Sequence, residues 1–290
     1  MAAGPSKAIL AELASRPGRD TRASSLMKAF FIGTSLLFLA ALLFAPLAIV
    51  FTTAVSKGLM PYFTSFKDSD TIAAIRLTLT VAALVVPLNT IFGISAAWCI
   101  AKFEFKGKSF LITLIDLPIA VSPVISGLVY VLLFGIQGWF GIWLQDHDIS
   151  IIYALPGIVL ATMFVTFPYV ARELIPLMQQ LGNDEEEAAI TLGAGGLMTF
   201  FHVTLPKIRW GLVYGVILCN ARAMGEFGAV TVVSGNIRGV TTTMPLHVEI
   251  LYNEYNFVGA FAVASLLTLL AVITLIIKSL VEWRTGYQRH

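Results

Sequence analysis

The chain has 290 residues, of which 57% are hydrophobic and 12% are charged, and its net charge is +2. Typical soluble domains carry about 25% charged residues, so the composition excludes an ordinary soluble protein and indicates that most of the chain lies in lipid. The small net charge argues neither for nor against an anionic partner, and we expect no nucleic-acid partner. Cys99 and Cys219 lie in apolar segments without metal or disulfide spacing, so no metal site is expected.

Six apolar segments are long enough to cross about 30 Å of hydrocarbon, which predicts an all-α integral membrane protein with six transmembrane helices. The segments are 29–55, 72–101, 109–135, 151–177, 210–234 and 257–281. The polar, basic residues 1–28 are expected to form an N-terminal tail, followed by a transmembrane domain over 29–283 and a short tail over 284–290. The first apolar segment starts too late and is too long for a cleaved signal peptide.

The third segment contains Pro118 and Pro123 close to Asp116. Because proline removes a backbone donor and its ring crowds the preceding turn, this span is the one most expected to be bent or broken. The following outer segment, 136–150, carries tryptophan and phenylalanine typical of a membrane-interface belt.

A polar insert, residues 179–206, separates the fourth and fifth segments. Asn183 or Asp184 is expected to cap a helix, and the three glutamates that follow lie in its first turn, where the helix dipole favours negative charge. Ala188 and Ala189 leave a smooth face that allows close docking.

Glycines are expected to end this first helix of the insert. Gly193 and the pair Gly195–Gly196 allow the chain to leave it through positive φ. The apolar residues 197–203 predict a second short helix. Pro206 is expected to end that second helix, with Leu205 pushed to extended geometry.

The distribution of lysine and arginine predicts the orientation. With the N-terminus inside, fourteen of these residues, Arg172 among them, fall in inside regions, whereas the outer loops hold only Lys57, Lys67 and Arg238. Both termini and the polar insert are therefore expected in the cytoplasm.

The insert resembles the cytoplasmic EAA coupling loop of permease subunits of bacterial ABC importers. The resemblance rests on Glu187, Ala188, Ala189, Gly193, Val203, Leu205 and Pro206 at the spacing of that motif. Val203 stands where the family usually has isoleucine, a substitution that preserves branching and polarity.

The resemblance implies a type I ABC importer permease fold, residence in the bacterial inner membrane, and a coupling role for this loop. It implies three kinds of partner: a cytoplasmic ABC ATPase dimer, a second homologous permease subunit and an extracytoplasmic binding protein. ATP and magnesium are then bound by the ATPase, and this chain binds no cofactor and is not an enzyme. Gly107-Lys108-Ser109 matches the end of a P-loop, but Lys102 stands where the first glycine is required.

Four further stretches resemble permeases for tetrahedral oxyanions, and most of all the sulfate/thiosulfate family. These are residues 56–61, 116–124, 220–229 and 233–239. Permeases for molybdate or tungstate are the alternative within the group. A secondary transporter that uses Asp116, Arg222 and Glu226 as a proton relay is the alternative from another class, but it leaves the Glu187–Pro206 loop unexplained.

Arg222 and Glu226 stand four residues apart, on one face of a helix near the middle of the fifth segment. A lone charge there costs on the order of 3 kcal/mol, so Arg222 is expected to pair with Glu226, with Asp116 as a second possible partner. The pair is either a purely internal tie or a lining or gating element of the anion path, and both roles stay open.

The longest outer loop, 235–256, contains Asn236, Arg238 and three consecutive threonines from Thr241. The threonines and Arg238 invite assignment as a sulfate site. Because the resemblance implies that a separate extracytoplasmic protein holds the anion, we expect Asn236 and Arg238 to dock that protein instead.

The orientation is testable by cysteine labelling in a background that lacks Cys99 and Cys219. A cysteine at Asn236 is expected to react with an impermeant thiol reagent added outside intact cells, and a cysteine at Glu186 is not. The reverse pattern would overturn the orientation and, with it, the cytoplasmic role of the insert.

Overall fold

The computed structural model describes residues 21–285, with side chains from residue 27 to residue 280. Every regular element in this part of the chain is helical, which confirms the all-α prediction. In chain order the helices are α1 (Thr21–Ala54), α2 (Leu59–Ser65), α3 (Ser69–Lys102), α4 (Lys108–Ala120), α5 (Pro123–Phe134), α6 (Gly141–Asp146), α7 (Leu155–Thr166), α8 (Pro168–Leu181), α9 (Asp184–Thr191), α10 (Gly196–Thr199), α11 (Leu205–Met224), α12 (Gly228–Ser234), α13 (Met244–Asn253) and α14 (Phe257–Thr285). A π-helical turn, Phe200–Thr204, joins α10 to α11.

Helix α1 begins at Thr21, within the predicted tail, and the tail residues 1–20 and 286–290 lie outside the described residues. Residues up to Ile49 form one compact unit and residues from Val50 onward form another. In the first unit, large apolar side chains such as Phe30, Leu37 and Phe44 are exposed, as a helix in lipid requires.

Four unbroken or gently bent helical segments are long and apolar enough to cross a membrane. They are Met27–Ala54, Ser69–Lys102, Leu155–Leu181 and Phe257–Leu280. Two further pairs, α4 with α5 and α11 with α12, qualify as bent spans, so the described residues hold up to six spans, in agreement with the six predicted.

The predicted break in the third span is confirmed: α4 and α5 meet at 105°, and Pro123 occupies the first turn of α5. The fifth span, predicted over 210–234, is also broken, by 50° between α11 and α12, a break for which the sequence analysis named no signal. Glycines stand on both sides of this break, because Gly225 follows the last residue of α11, Met224, and Gly228 is the first residue of α12.

The centre of the second unit is formed by α3, α8 and α11. A Cβ built on Gly93 of α3 would lie 2.6 Å from the Cβ of Val170 on α8, and one on Gly215 of α11 would lie 3.3 Å from the Cα of Val170. The three helices therefore meet at one level, and no larger residue fits at Gly93 without displacing α8. Just above that level, the buried Asn89 donates hydrogen bonds to Thr166 Oγ1 at 2.8 Å and to the carbonyl of Met163 at 3.2 Å.

The predicted outer loop 235–256 is only partly a loop, because its second half forms α13. Pro245 stands in the first turn of α13, and Thr78 Oγ1 accepts a hydrogen bond from the amide of Met244 at 2.8 Å, which satisfies one of the free donors at the helix start. Met244 and Leu246 are buried, so tertiary packing fixes a helix where composition alone indicated a polar connection.

Candidate functional site

The polar insert folds as predicted at its centre, a short helix with acidic residues in the first turn. Helix α9 runs from Asp184 to Thr191. The expected side-chain cap is absent, since Asn183 precedes the helix but makes no capping hydrogen bond. Two of the acidic side chains, on Glu185 and Glu186, instead contact lysines of the spans.

The turn after α9 depends on a single glycine. Gly193 has φ +91°, which confirms that it carries the chain out of the helix through positive φ. Gly195 has φ −72° and Gly196 is already helical, so the expectation that this pair shares the same role is wrong. One residue in the left-handed conformation, Gly193, is enough to turn the chain out of the helix. Gly195 and Gly196 only leave space around that turn.

Pro206 does not end the second helix of the insert, and Leu205 is not extended. Leu205 has φ −61° and ψ −43°, and helical structure continues from Gly196 through to Met224. The π turn explains the difference. The amide of Leu205 bonds to the carbonyl of Phe200, five residues back, and this wider turn accommodates a proline ring that would crowd an ordinary α turn.

The membrane side of the insert is held by Lys102, the last residue of α3. Its Nζ lies 3.1 Å from Glu186 Oε2 and donates to the carbonyl of Gly182 at 2.5 Å. Thr204 of the π turn donates to the other oxygen of Glu186 at 2.6 Å. The side chains of Lys102 and Glu186 are only 7% and 17% exposed, so these contacts, here called the Lys102 network, are largely shielded from water.

A second lysine reinforces this attachment. Lys207 Nζ, at the start of α11, lies 2.5 Å from Glu185 Oε1, and this pair is the more exposed of the two. Sequence reasoning missed both lysines as site residues and counted them only as positive charges on the cytoplasmic side. Their positions at the cytoplasmic ends of two spans were the available signal, but the pairing of each with one glutamate needs the fold.

Much of the remaining surface of the insert is exposed and largely apolar. Glu187 and Ala188 are exposed, whereas Ala189 is half-buried. Around them are exposed apolar side chains: Ile190, Leu192, Leu197, Met198 and Phe201. A surface of this kind at the end of a helical bundle is suited to a protein partner, since isolated soluble surfaces rarely group so many large apolar residues.

Arg222 and Glu226 form the predicted ion pair, with Arg222 Nη1 at 2.5 Å from Glu226 Oε2. Arg222 lies in the last turn of α11, directly before the break. Glu226 is buried within the break, and its Oε1 accepts a hydrogen bond from the amide of Ala229 at 2.9 Å. The carboxylate thus joins the two halves of the broken span, and the guanidinium of Arg222 remains about one-third exposed.

Asp116 does not contact Arg222, so that expectation is wrong. Its Oδ1 lies 3.3 Å from Nε of Arg172 on α8, because α4 packs beside α8 below the break in the third span. Arg172, counted with the cytoplasmic charges by sequence, lies within the helical segment Leu155–Leu181 that qualifies as a span. The structure thus places two arginine–carboxylate pairs in the spans.

In the outer loop, two of the three consecutive threonines use their hydroxyls to bond nearby backbone carbonyls. Thr241 and Thr242 are buried, and their hydroxyls donate to the carbonyls of Ser234 and Ile237 at 2.7 and 3.0 Å. Asn236, with φ +54°, and Arg238 are exposed. Arg238 pairs with Glu254, and this hydrogen bond raises the pKa of Arg238, a side chain that is charged in proteins in any case.

Comparison with known proteins assigns the chain to a family of transport proteins. Residues 89–287 match the family described as "Binding-protein-dependent transport system inner membrane component". The chain is 50% identical over 279 residues to the sulfate transport system permease protein CysW of Escherichia coli K12, with 96% of each chain covered. It is 34% identical to the sulfate transport system permease protein CysT of the same strain, covering 88% of this chain and 92% of CysT.

A solved structure supports the fold. A bacterial ABC transporter involved in the import of the acidic polysaccharide alginate matches with a TM-score of 0.74 at 18% identity, covering 93% of this chain and 98% of that chain. At this low identity, the similarity supports the fold alone. From the match over residues 89–287 and the identity to CysW along nearly the whole chain, this protein belongs to the family of ABC importer permease subunits, in the group of the sulfate transport permeases.

Proposed function

We propose that the chain is a transmembrane permease subunit of an ATP-driven sulfate/thiosulfate importer in a bacterial inner membrane, with both termini in the cytoplasm. It forms the translocation path with a second, homologous permease subunit. The observation that carries this proposal is the 50% identity to CysW over 96% of the chain, joined to a short, exposed acidic helix, α9, in the insert that resembles the coupling loop. The separate identities to CysW and CysT support a pair of unlike permeases.

The exposed side of the insert is the surface we assign to the ATPase dimer, which binds ATP and magnesium. Glu187 and Ala188 lie at its centre, with exposed leucines at positions 192 and 197. Small and apolar side chains allow a close fit in a cleft, and burial of about 800 Å² per partner is typical of a stable interface. We assign the half-buried Ala189 and Leu205 and the exposed Pro206 to the same coupling site.

The membrane side of the insert transmits the movement of the ATPase to the transmembrane helices. When ATP binding displaces the ATPase, α9 moves with it, and the Lys102 network passes that movement to α3 and, through Thr204, to α11. Breaking a shielded ion pair by removing one partner costs about 3–5 kcal/mol, whereas exposed pairs contribute about 0–1 kcal/mol. The Lys102 pair is therefore the stronger link, and the Lys207 pair is secondary.

The path of the anion runs between the transmembrane helices. We assign Arg222, Glu226 and Asp116 to the path or its gate, because they are charged groups close to the breaks in the two broken spans. Backbone breaks at membrane depth occur where they are buried in protein or line water. The exposed Asn236 and Arg238 are the residues we assign to docking of an extracytoplasmic sulfate/thiosulfate-binding protein.

The first prediction concerns the substrate. Proteoliposomes that contain this chain, its partner permease and the ATPase are expected to accumulate radiolabelled sulfate only with ATP and the loaded binding protein. Thiosulfate is expected to compete, because it has the same charge and tetrahedral shape. Uptake of molybdate or tungstate without sulfate would assign the alternative substrate, and sulfate uptake driven by a proton gradient without ATP would contradict the proposal.

The second prediction concerns Gly193. Gly193→Val forces a β-branched residue to φ +91°, which costs on the order of 1–3 kcal/mol of backbone strain. The turn is expected to collapse, so that the ATPase no longer co-purifies and uptake is lost, while the chain still inserts. Gly195→Val is the matched control, because Gly195 has an ordinary φ of −72° and equally open surroundings. Full transport by Gly193→Val would refute the assigned role.

The third prediction compares the two lysines. Lys102→Ala leaves the shielded Glu186 without its cation, so we expect the sulfate moved per ATP hydrolysed to fall several-fold while the ATPase stays bound. Lys207→Ala removes the exposed pair and is expected to change that ratio little. Exchange of the charges, Lys102→Glu with Glu186→Lys, should recover part of the loss. Equal effects of the two alanine variants would contradict the assigned roles.

A further inference from the structure

Arg172 lies within the candidate span Leu155–Leu181, and the packing of α3 against α8 defines its level along that span. Gly93 of α3 lies against Val170 and Ala171, directly before Arg172. Lys102, at the cytoplasmic end of α3, is nine residues further along that helix, which corresponds to about 14 Å. Arg172 is therefore level with an apolar part of α3, where an unshielded charge is costly.

The guanidinium of Arg172 is only partly satisfied within the chain. Asp116 Oδ1 lies 3.3 Å from its Nε, and the two side chains are 55% and 44% exposed. No hydrogen bond joins this guanidinium to any of the described residues 27–280. It has five N–H donors, and lipid accepts none of them. These donors therefore face water, a partner chain or a ligand.

The other arginine of the spans that pairs with a carboxylate, Arg222, lies further out along the membrane normal. Gly215 approaches Val170, and Arg222 lies seven residues beyond Gly215 on α11, which runs antiparallel to α8. Arg172 lies two residues beyond Val170 in the opposite direction. Nine residues of helix, roughly 14 Å, separate the two arginines along the membrane normal.

Both pairs border the same broken span. Asp116 belongs to α4, the inner half of that span. On the outer half, a Cβ at Gly228 would lie 3.0 Å from Pro123 Cβ, and Gly228 is two residues after Glu226. The break in the third span thus has the Arg222 pair beside it and the Arg172 pair below it, toward the cytoplasm.

We propose that Arg172, held by Asp116, is a second and inner contact for the transported divalent oxyanion, which reaches it after Arg222. The proposal rests on the proposed function. A planar guanidinium matches two oxygens of a tetrahedral oxyanion. Asp116 competes for the same guanidinium, so the anion is held briefly and released, as transport requires.

The test measures chemical access to Arg172 in the complete importer in proteoliposomes. Phenylglyoxal modifies accessible arginines, and peptide mass spectrometry reports each site separately. We expect sulfate, at concentrations where chloride has no effect, to slow modification of Arg172. The exposed Arg209, near the cytoplasmic end of α11, is the internal control and should be insensitive to sulfate. Modification of Arg172 that sulfate leaves unchanged would overturn the proposal.

Variants supply the second measurement. Arg172→Ala with Asp116→Ala removes one charge of each sign, and the complex is expected to assemble but to take up sulfate about tenfold more slowly, the equivalent of one charge-assisted hydrogen bond. Arg172→Lys should retain part of the uptake. Lys108→Ala with Glu104→Ala removes a matched pair in the connection between α3 and α4 and should leave uptake unchanged.

The remaining outcomes separate the explanations. Normal uptake by the Arg172/Asp116 double variant would make the pair a scaffold and overturn the proposal. Loss of the second permease from that double variant would assign Arg172 to the subunit interface and overturn it equally. If the wild-type complex shows no ATP-dependent sulfate uptake, the proposed function fails. The modification experiment still shows separately whether sulfate contacts Arg172.

Discussion

Hydrocarbon offers no hydrogen-bond partner, so every polar group in the spans has to be satisfied by the protein or by water that the protein admits. Several buried side chains in the described residues meet this constraint through contacts between helices. Asn89 bonds to two groups of α7, and Thr78 accepts the first amide of α13. Glu226 is buried because it meets a guanidinium and a backbone amide together. Each of these contacts joins two helices or helix halves, so satisfying polar groups also fixes how the bundle packs.

The same constraint explains why the charges cluster at breaks. A broken helix frees amides and carbonyls that need partners, and a carboxylate satisfies an amide most strongly. Glu226 does this for Ala229, and its remaining charge then requires Arg222. The helix break, the Glu226 carboxylate and the Arg222 guanidinium therefore depend on one another. In an unbroken helix the amide of Ala229 would already be bonded, and it would not require the carboxylate of Glu226.

Sequence reasoning succeeded where the chemistry is local. The number of spans, the break at Pro123, the helix at Asp184–Thr191, the positive φ at Gly193 and the Arg222–Glu226 pair all depend on residues within a few positions of one another. It failed where distant residues meet. Asp116 pairs with Arg172, fifty-six positions away, and Lys102 with Glu186, eighty-four positions away. Nothing in the spacing selects these partners.

The error at Pro206 has a different cause. The rule that a proline stops a helix assumes α geometry before it, and a π turn removes the steric conflict behind that rule. The sequence of Phe200–Thr204 carries no signal for such a turn that we recognise. Likewise, α13 looked like a loop because polar threonines precede it, although packing of Met244 and Leu246 decides its structure.

The π turn makes the end of the insert and the fifth span one continuous rod, Gly196–Met224. Its length is roughly 43 Å at 1.5 Å per residue. If the cytoplasmic end pivots, a tilt of about 5° moves the far end by about 4 Å, which exceeds the length of a hydrogen bond. Thr204 and Lys207 lie near one end of this lever and Arg222 near the other. A small rotation beneath the membrane would thereby be magnified into a displacement of several ångströms at the level of the Arg222–Glu226 pair.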